Sequence, residues 1–211
     1  MKITFVLLHA FGMGGTIRAT INLANVLAER HEVEILSVLR HAAAPFFPIS
    51  PKVRVRSLVD GPGYGPATPR GRRLRGAAHR LPSLLVHPQD RASRSFSPLT
   101  DLALIRALRT LDSDVVVSTR AGLNLVVARH APRRVVRVAQ EHLFLAVHRP
   151  GILERIRRDY RRLDGVVTLT EADRADYRRL LGGARTRVYV IGNGLPDQET
   201  APRADPAAKV V

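Results

Sequence analysis

The chain has 211 residues, 45% of them hydrophobic, and a formal net charge of +16, which suits one α/β domain with a substantial core and argues against wholesale disorder. It contains no cysteine, so a disulfide framework and a thiolate metal site are excluded, and no run approaches the roughly 18 apolar residues of a membrane-spanning helix. Of its 34 basic residues only Lys2, Lys52 and Lys209 are lysine, and a surface this basic favours anionic partners: nucleotide phosphates, anionic lipid headgroups or nucleic acid.

Ile3 to Leu8 is an apolar run that reads as a buried first strand rather than a signal peptide, because a glycine loop, Phe11-Gly12-Met13-Gly14-Gly15-Thr16, follows at once. A helix is expected over 16–29, with Thr16 as its N-cap and Ile17, Ile21, Ala24, Leu27 and Ala28 on one stripe. Strands follow at Val33–Val38 and, alternating and more exposed, at Val53–Leu58. Residues 59–98 change character. Nine of the 14 prolines lie between Pro45 and Pro98, and eleven basic residues face only Asp60 and Asp90 between Arg40 and Arg94. This composition predicts a long excursion with one helix over about 70–81, partly disordered, carrying the Arg70–Arg75 cluster.

Regular alternation then resumes. Helices are expected at Leu99–Leu111, Gly122–His130, Ile152–Leu163 and Glu171–Leu181, the last capped by Thr170 and ended by Gly182-Gly183. Strands are expected at Asp114–Val117, Arg134–Val138, Gly165–Leu169 and Val188–Ile191, with Gln140-Glu141-His142 as a loop. Strands alternating with helices imply a Rossmann-like parallel sheet with helices on both faces.

A strand, glycine loop and helix in succession place backbone N–H groups and a positive helix end at the carboxyl edge of a sheet, where an anion can sit. That edge makes Gly14, Gly15 and Thr16 candidates for phosphate contact, with Arg18 in reach from the first helical turn or simply solvated. A tight turn needing glycine is the plainer reading of the pair. Arg120, Thr170 and Glu171 end strands at the same edge; Thr170 also reads as a plain helix cap. His142 titrates near neutral pH and can donate or accept at a reacting centre, with Glu141 as its neighbour or orienting carboxylate. No Ser/His/Asp set and no metal-ligand spacing is present: His142 and His148 are six apart and His9 is distant. The helix over 152–163 sets Arg155, Arg157, Arg158, Arg161 and Arg162 beside Ile152, Ile156 and Tyr160. It reads either as a sheet-packed helix with a solvated arginine face or as a basic amphipathic helix on anionic lipid.

Three segments together resemble the N-terminal domain of a GT-B glycosyltransferase of glycosyltransferase family 4. They are Gly14-Gly15-Thr16 leading into Asn22-Leu23-Ala24-Asn25-Val26-Leu27-Ala28, then Val166 to Asp173, then Arg187 to Pro196. The resemblance implies two Rossmann-like domains facing across a cleft, the N-terminal one holding mainly the acceptor and the C-terminal one mainly the nucleotide-sugar donor. It implies a glycine loop closing over donor phosphates and acceptor, a histidine (His142) lining the cleft near the sugar, and a site role for Asn193. Retaining transfer with neither metal nor other cofactor is implied as well. On this reading 1–195 is the acceptor-side domain, 196–211 begins the linker and the donor domain, and Lys209-Val210-Val211 is that domain's first strand. The donor-binding signature would lie beyond Val211, so this chain alone would be inactive. The expected partners are a nucleotide-sugar donor and a glycosyl acceptor, lipid- or polysaccharide-linked, in a cytoplasmic protein that associates peripherally with the inner face of the membrane. Two alternatives compete: a non-enzymatic basic module binding nucleic acid or membrane, and a GT-B-type sugar-nucleotide epimerase. Aromatics are only 5% and are not interleaved with the arginine clusters as stacking platforms would be, which argues against specific nucleic-acid binding.

Overall fold

Seven strands form one sheet in the order β3-β2-β1-β4-β5-β6-β7, every neighbouring pair parallel. The strands are β1 Lys2–His9, β2 Glu32–Arg40, β3 Val53–Asp60, β4 Val115–Ser118, β5 Val136–Gln140, β6 Gly165–Thr168 and β7 Arg187–Val190. Helices α1 Gly15–Leu27, α2 Pro98–Arg109, α3 Ala121–His130, α4 Pro150–Asp159 and α5 Glu171–Leu181 alternate with them. The computed structural model describes residues 1–61 and 81–194. The expected helix over 70–81 (but for its last residue), the Arg70–Arg75 cluster, Leu195-Pro196, the expected linker beyond and Lys209-Val210-Val211 lie outside the described residues.

The sheet has the fold class expected from the alternation, and its period-two burial explains the two layers. Phe5 pairs with Ile35 on one side and Val117 on the other; with Leu7 and Ile3 it packs against Ile17, Ile21 and Ala24 of α1. The alternate residues Val6 and Leu8 face the opposite way, into a core closed by Leu104 and Leu108 of α2 and Leu123 and Val127 of α3. Helix α3 is apolar nearly all round because it is sandwiched: Leu125 and Ala128 turn toward Ile152, Ile156 and Tyr177 in a third cluster.

Several boundaries move for local reasons. Thr16 is not the N-cap of α1; Gly14 occupies that position without any side-chain cap, and the Thr16 carbonyl instead accepts from Thr20 Oγ1 at 2.8 Å. Helix α2 starts at Pro98 because Ser97 and Thr100 cap it reciprocally. Strand β5 starts two residues later than expected. Val135 N–H bonds back to the Pro132 carbonyl at 3.1 Å, and Arg134 reaches the Leu111 carbonyl, so 132–135 is a turn. Gln140 is therefore strand, not loop. Helix α4 begins at Pro150 and tightens into a 3₁₀ turn over Tyr160–Arg162. Its apolar stripe, Ile152 and Ile156, is buried in the domain, leaving Arg157, Arg161 and Arg162 exposed. The back half of the excursion is packed, not loose: Val86, Asp90, Ala92 and Phe96 are all buried. Thr170 caps α5 as expected, its hydroxyl accepting from Asp173 N–H at 3.2 Å.

Phe5, fully buried at the centre of the sheet, is the side chain whose loss opens the largest hole beneath β1. Phe5→Ala is expected to cost about 3–5 kcal/mol, read from the urea midpoint; a loss under about 1 kcal/mol would contradict this core.

Candidate active site

Strand order reverses between β1 and β4: the chain builds outward to β3 on one side, then to β7 on the other. At such a switch point the loops leaving adjacent strands diverge to opposite faces and leave a crevice at the carboxyl edge. A cleft of about 250 Å³ opens there, lined by the glycine loop after β1, Thr119 and Arg120 after β4, and Glu141 and His142 after β5. Its volume falls below the roughly 300–1,000 Å³ of an enclosed ligand pocket, as one wall of a larger site would.

The glycine loop is held from below, where Ser37 Oγ accepts from Ala10 N–H at 3.0 Å and donates to the Leu39 carbonyl at 2.7 Å. Neither Gly14 nor Gly15 is left-handed: Gly14 is extended, and a Cβ added at Gly15 would meet nothing within 4 Å. The fold itself gives no steric reason for glycine at 15. With Gly14 offering no cap, the first N–H groups of α1 face an open space that suits an anion.

Arg120 stands at the start of α3 with its Nε buried and unpartnered. Beside it the carboxylate of Asp90 takes the place an anion would fill at the start of α3. Its Oδ2 accepts from Gly122 N–H at 2.9 Å and its Oδ1 from Ala92 N–H at 2.8 Å. A Cβ at Gly122 would lie 2.8 Å from that Oδ2, so glycine is what lets the carboxylate in.

Glu141 and His142 diverge. Glu141 points beneath the sheet edge, 1% exposed, where Oε1 accepts from Asn124 Nδ2 at 2.9 Å and from the Tyr160 hydroxyl. Burial pushes its carboxyl up to about 7, against the opposing pull of the Tyr160 and Asn124 hydrogen bonds. His148 Nε2 lies 3.8 Å from its Oε2. His142 has both ring nitrogens buried without a partner, and burial holds its pKa down at about 4. It is therefore a neutral imidazole at pH 7, able to donate from one nitrogen and accept at the other. His9, at the end of β1, is lowered by burial first, then by His41 and Arg120.

The cleft thus gathers Gly14, Gly15, Thr16, Arg120, Glu141 and His142. Arg18, Thr170, Glu171 and Asn193 do not line it. Glu171 is exposed and paired with Arg174 at 2.8 Å, and Asn193 is exposed beyond β7. His9, Gln89, Asp90, Arg91, His148 and Arg149 also line the cleft though the sequence does not single them out as site residues. Gln89, Asp90 and Arg91 come from the composition-biased excursion, which carries no periodicity to read. Among the described residues no group of three or more potential metal ligands is found, and no helix is long and apolar enough to cross a membrane.

The model of Glycosyltransferase Family 4 matches residues 13–199. An exopolysaccharide phosphotransferase of Streptomyces coelicolor is 38% identical over 201 residues, covering 93% of this chain and 21% of that protein. The chain thus spans about a fifth of the length of the curated relative it matches. Among solved structures, sucrose-phosphate synthase from Thermosynechococcus elongatus superposes with a TM-score of 0.59 at 13% identity, over 90% of this chain and 47% of that one. The lipopolysaccharide outer core galactosyltransferase WaaB gives 0.56 at 12%, over 99% and 50%. Anabaena HepE, solved with UDP and glucose, gives 0.52 at 15%, over 92% and 45%.

Glu141 and His142 act on stability with opposite signs. A carboxyl whose pKa rises from 4.5 to about 7 on folding contributes stability below 4.5 that is lost as pH climbs to about 7. An imidazole lowered from 6.5 to about 4 contributes stability above 6.5 that is lost as pH falls toward 4. Glu141→Gln keeps the acceptor for Tyr160 and Asn124 but removes the titration. The variant is expected to gain stability relative to the parent as pH rises from 4.5 to 7, by on the order of 1–3 kcal/mol. Denaturation at pH 5 and pH 8 checks this; an equal difference at both would refute a buried, raised carboxyl.

Proposed function

The chain belongs to glycosyltransferase family 4, and from that premise we propose that it is the acceptor-side domain of a retaining glycosyltransferase, moving a sugar from a nucleotide-sugar donor to a hydroxyl of a growing polysaccharide. One observation carries the reading. The uncapped, sterically open start of α1, the unpartnered Arg120 and the unpartnered His142 converge on one cleft at the switch point. The Streptomyces relative, an exopolysaccharide phosphotransferase, supports a polysaccharide acceptor, and HepE, solved with UDP and with UDP-glucose, supports a nucleotide-sugar donor.

In the proposed reaction the bond between the sugar's anomeric carbon and the diphosphate oxygen breaks, and the acceptor hydroxyl forms a new bond to that carbon on the same face. The hydroxyl proton passes to the departing phosphate oxygen. The start of α1 and Arg120 stabilise charge building on that phosphate. Neutral His142 holds a sugar hydroxyl by hydrogen bonding and so fixes the angle of approach. Glu141 does not reach the reacting atoms; through Asn124 and Tyr160 it fixes the strand end from which His142 projects. No metal or other cofactor is invoked. We place the protein in the cytoplasm. The exposed Arg157, Arg161 and Arg162 offer an anionic lipid surface a purely electrostatic contact, since the apolar stripe of α4 is already buried. The second domain that would hold most of the donor lies outside this chain, which alone is proposed to be inactive.

The relative's name also favours a second reading, in which the domain serves phosphoryl rather than glycosyl transfer; a phosphodiester product in place of a glycoside would identify it.

The test uses the full-length protein with radiolabelled UDP-, GDP- and ADP-sugars. At least one is expected to bind in calorimetry and label polysaccharide, and no binding of any would overturn the reading. His142→Ala should lower kcat/KM about 100-fold, and the parent's kcat/KM should stay flat from pH 8 to 5.5, falling only toward pH 4, where His142 gains its proton. Gly15→Ala should leave the urea midpoint unchanged or slightly raised, because the helix gains alanine and nothing lies within 4 Å of the new methyl, yet weaken donor binding at least ten-fold. Unchanged donor affinity would show that the open space at 15 is not used.

A further inference from the structure

We infer that the acceptor side of this cleft is built for an acidic sugar, one bearing a phosphate ester or a uronate carboxylate, gripped by Arg91 and Arg149 beside the Arg120 that faces the donor. The inference rests on the acceptor reading above and adds the substrate's chemical class.

The charge balance of the cleft carries it. Three arginines line it from three separate elements: Arg91 from the limb returning out of the excursion, Arg120 from the end of β4, Arg149 from the start of α4. Among the described residues none of the three has a carboxylate within 4.0 Å, whereas Arg40, Arg56, Arg129 and Arg174 each have one. The two carboxylates that line the same cleft are already spent. Asp90 gives one oxygen to Gly122 N–H and the other to Ala92 N–H, and Glu141 faces Tyr160 and Asn124 beneath the edge and keeps its proton up to about 7. Three arginines therefore outnumber the carboxylates of the cleft, and none of them lies within 4.0 Å of a carboxylate, the charged Asp90 being held by backbone N–H groups.

The arginines are also brought together by hydrogen bonds their neighbours make. Gln89 Oε1 accepts from Gly151 N–H at 2.8 Å, and a Cβ at Gly151 would come within 2.6 Å of that oxygen. A glycine is thus placed where the returning limb must dock onto the start of α4, which sets Arg91 beside the segment that bears Arg149. Burial lowers the His148 imidazole, with Asp90 opposing and Arg91 assisting, so both charges lie close to that ring. A planar guanidinium matches both carboxylate and phosphate with two parallel hydrogen bonds. The donor's diphosphate has its own cradle at the uncapped start of α1, which leaves Arg91 and Arg149 for a second anion.

The experiment titrates the full-length protein, in excess UDP to fill the donor's place, with methyl glucoside 6-phosphate, methyl glucuronide and uncharged methyl glucoside. At least one charged sugar is expected to bind ten-fold or more tightly than the neutral one, and comparison of the phosphate with the glucuronide tells which acid is read. The double variant Arg91→Gln with Arg149→Gln removes two exposed charges and is expected to erase that preference with no shift in urea midpoint. Equal affinity for charged and neutral sugars, or a preference that survives in the double variant, overturns the inference. If neutral and charged sugars bind alike while the protein still transfers label to polysaccharide, the transferase reading stands and this inference alone falls. If the UDP-, GDP- and ADP-sugars all fail to bind but the charged sugars keep their advantage, the anion grip stands and the transferase reading falls.

Discussion

Everything at the carboxyl edge depends on the reversal of strand order beside β1. Because β1 sits between β2 and β4, the loops that leave β1 and β4 run to helices on different faces, and no crossover fills the space between them. Parallel pairing on both sides of Phe5 makes that gap rigid, since the strand that ends at it is buried on both faces and hydrogen-bonded along both edges. Loop identity then decides only what faces the gap. The glycines, Arg120 and His142 are positioned by backbone geometry rather than by contacts with one another.

Below that edge lies a layer of polar groups of which only Glu141 reaches the cleft. Asn124 in the middle of α3, Tyr160 at the end of α4 and Glu141 after β5 share hydrogen bonds, and Tyr177 of α5 stacks on Tyr160 with ring centroids 6.3 Å apart. Three helices and one strand end thereby meet at a single carboxylate. Asn124 Oδ1 and the Tyr177 hydroxyl stay without a partner, so the network fixes the helices through the bonds that converge on the carboxylate. Its proximity to His142 links the strictness of the core to the placement of the cleft's imidazole.

Much of this was legible in the sequence because parallel sheets advertise themselves. Ile3–Leu8 and Val166–Leu169 are apolar runs of strand length, and the intervening helices carry one-sided stripes, so class and order follow from periodicity. The placement of the glycine loop, Arg120 and His142 at one cleft is legible for a related reason: strand ends in an open parallel sheet gather at one edge. What periodicity does not carry is partnership at long range. Asp90 contacts Gly122 across 32 residues and Gln89 contacts Gly151 across 62, from a stretch whose prolines and arginines conceal any pattern. Likewise Glu141 is adjacent to His142 in the chain, yet the alternation of a strand end sends the two side chains to opposite sides. The start of β5 was misplaced because a hydrogen-bonded turn at 132–135 overrode the β-branched run of Val135, Val136 and Val138.

The fixed points at residues 60–61 and 83–84 have a practical consequence. At one end Gly61 N–H bonds to the Arg40 carbonyl at 2.8 Å and Arg40 pairs with Asp60 at 2.8 Å. At the other, Asp101 accepts from the Ser83 hydroxyl and Leu84 N–H, both at 2.7 Å. With entry and exit bolted to the scaffold, loop closure charges little for a change of length between them. That interval is the natural place to insert or exchange peptide segments without cost to the sheet, much as hypervariable segments are exchanged on an antibody framework.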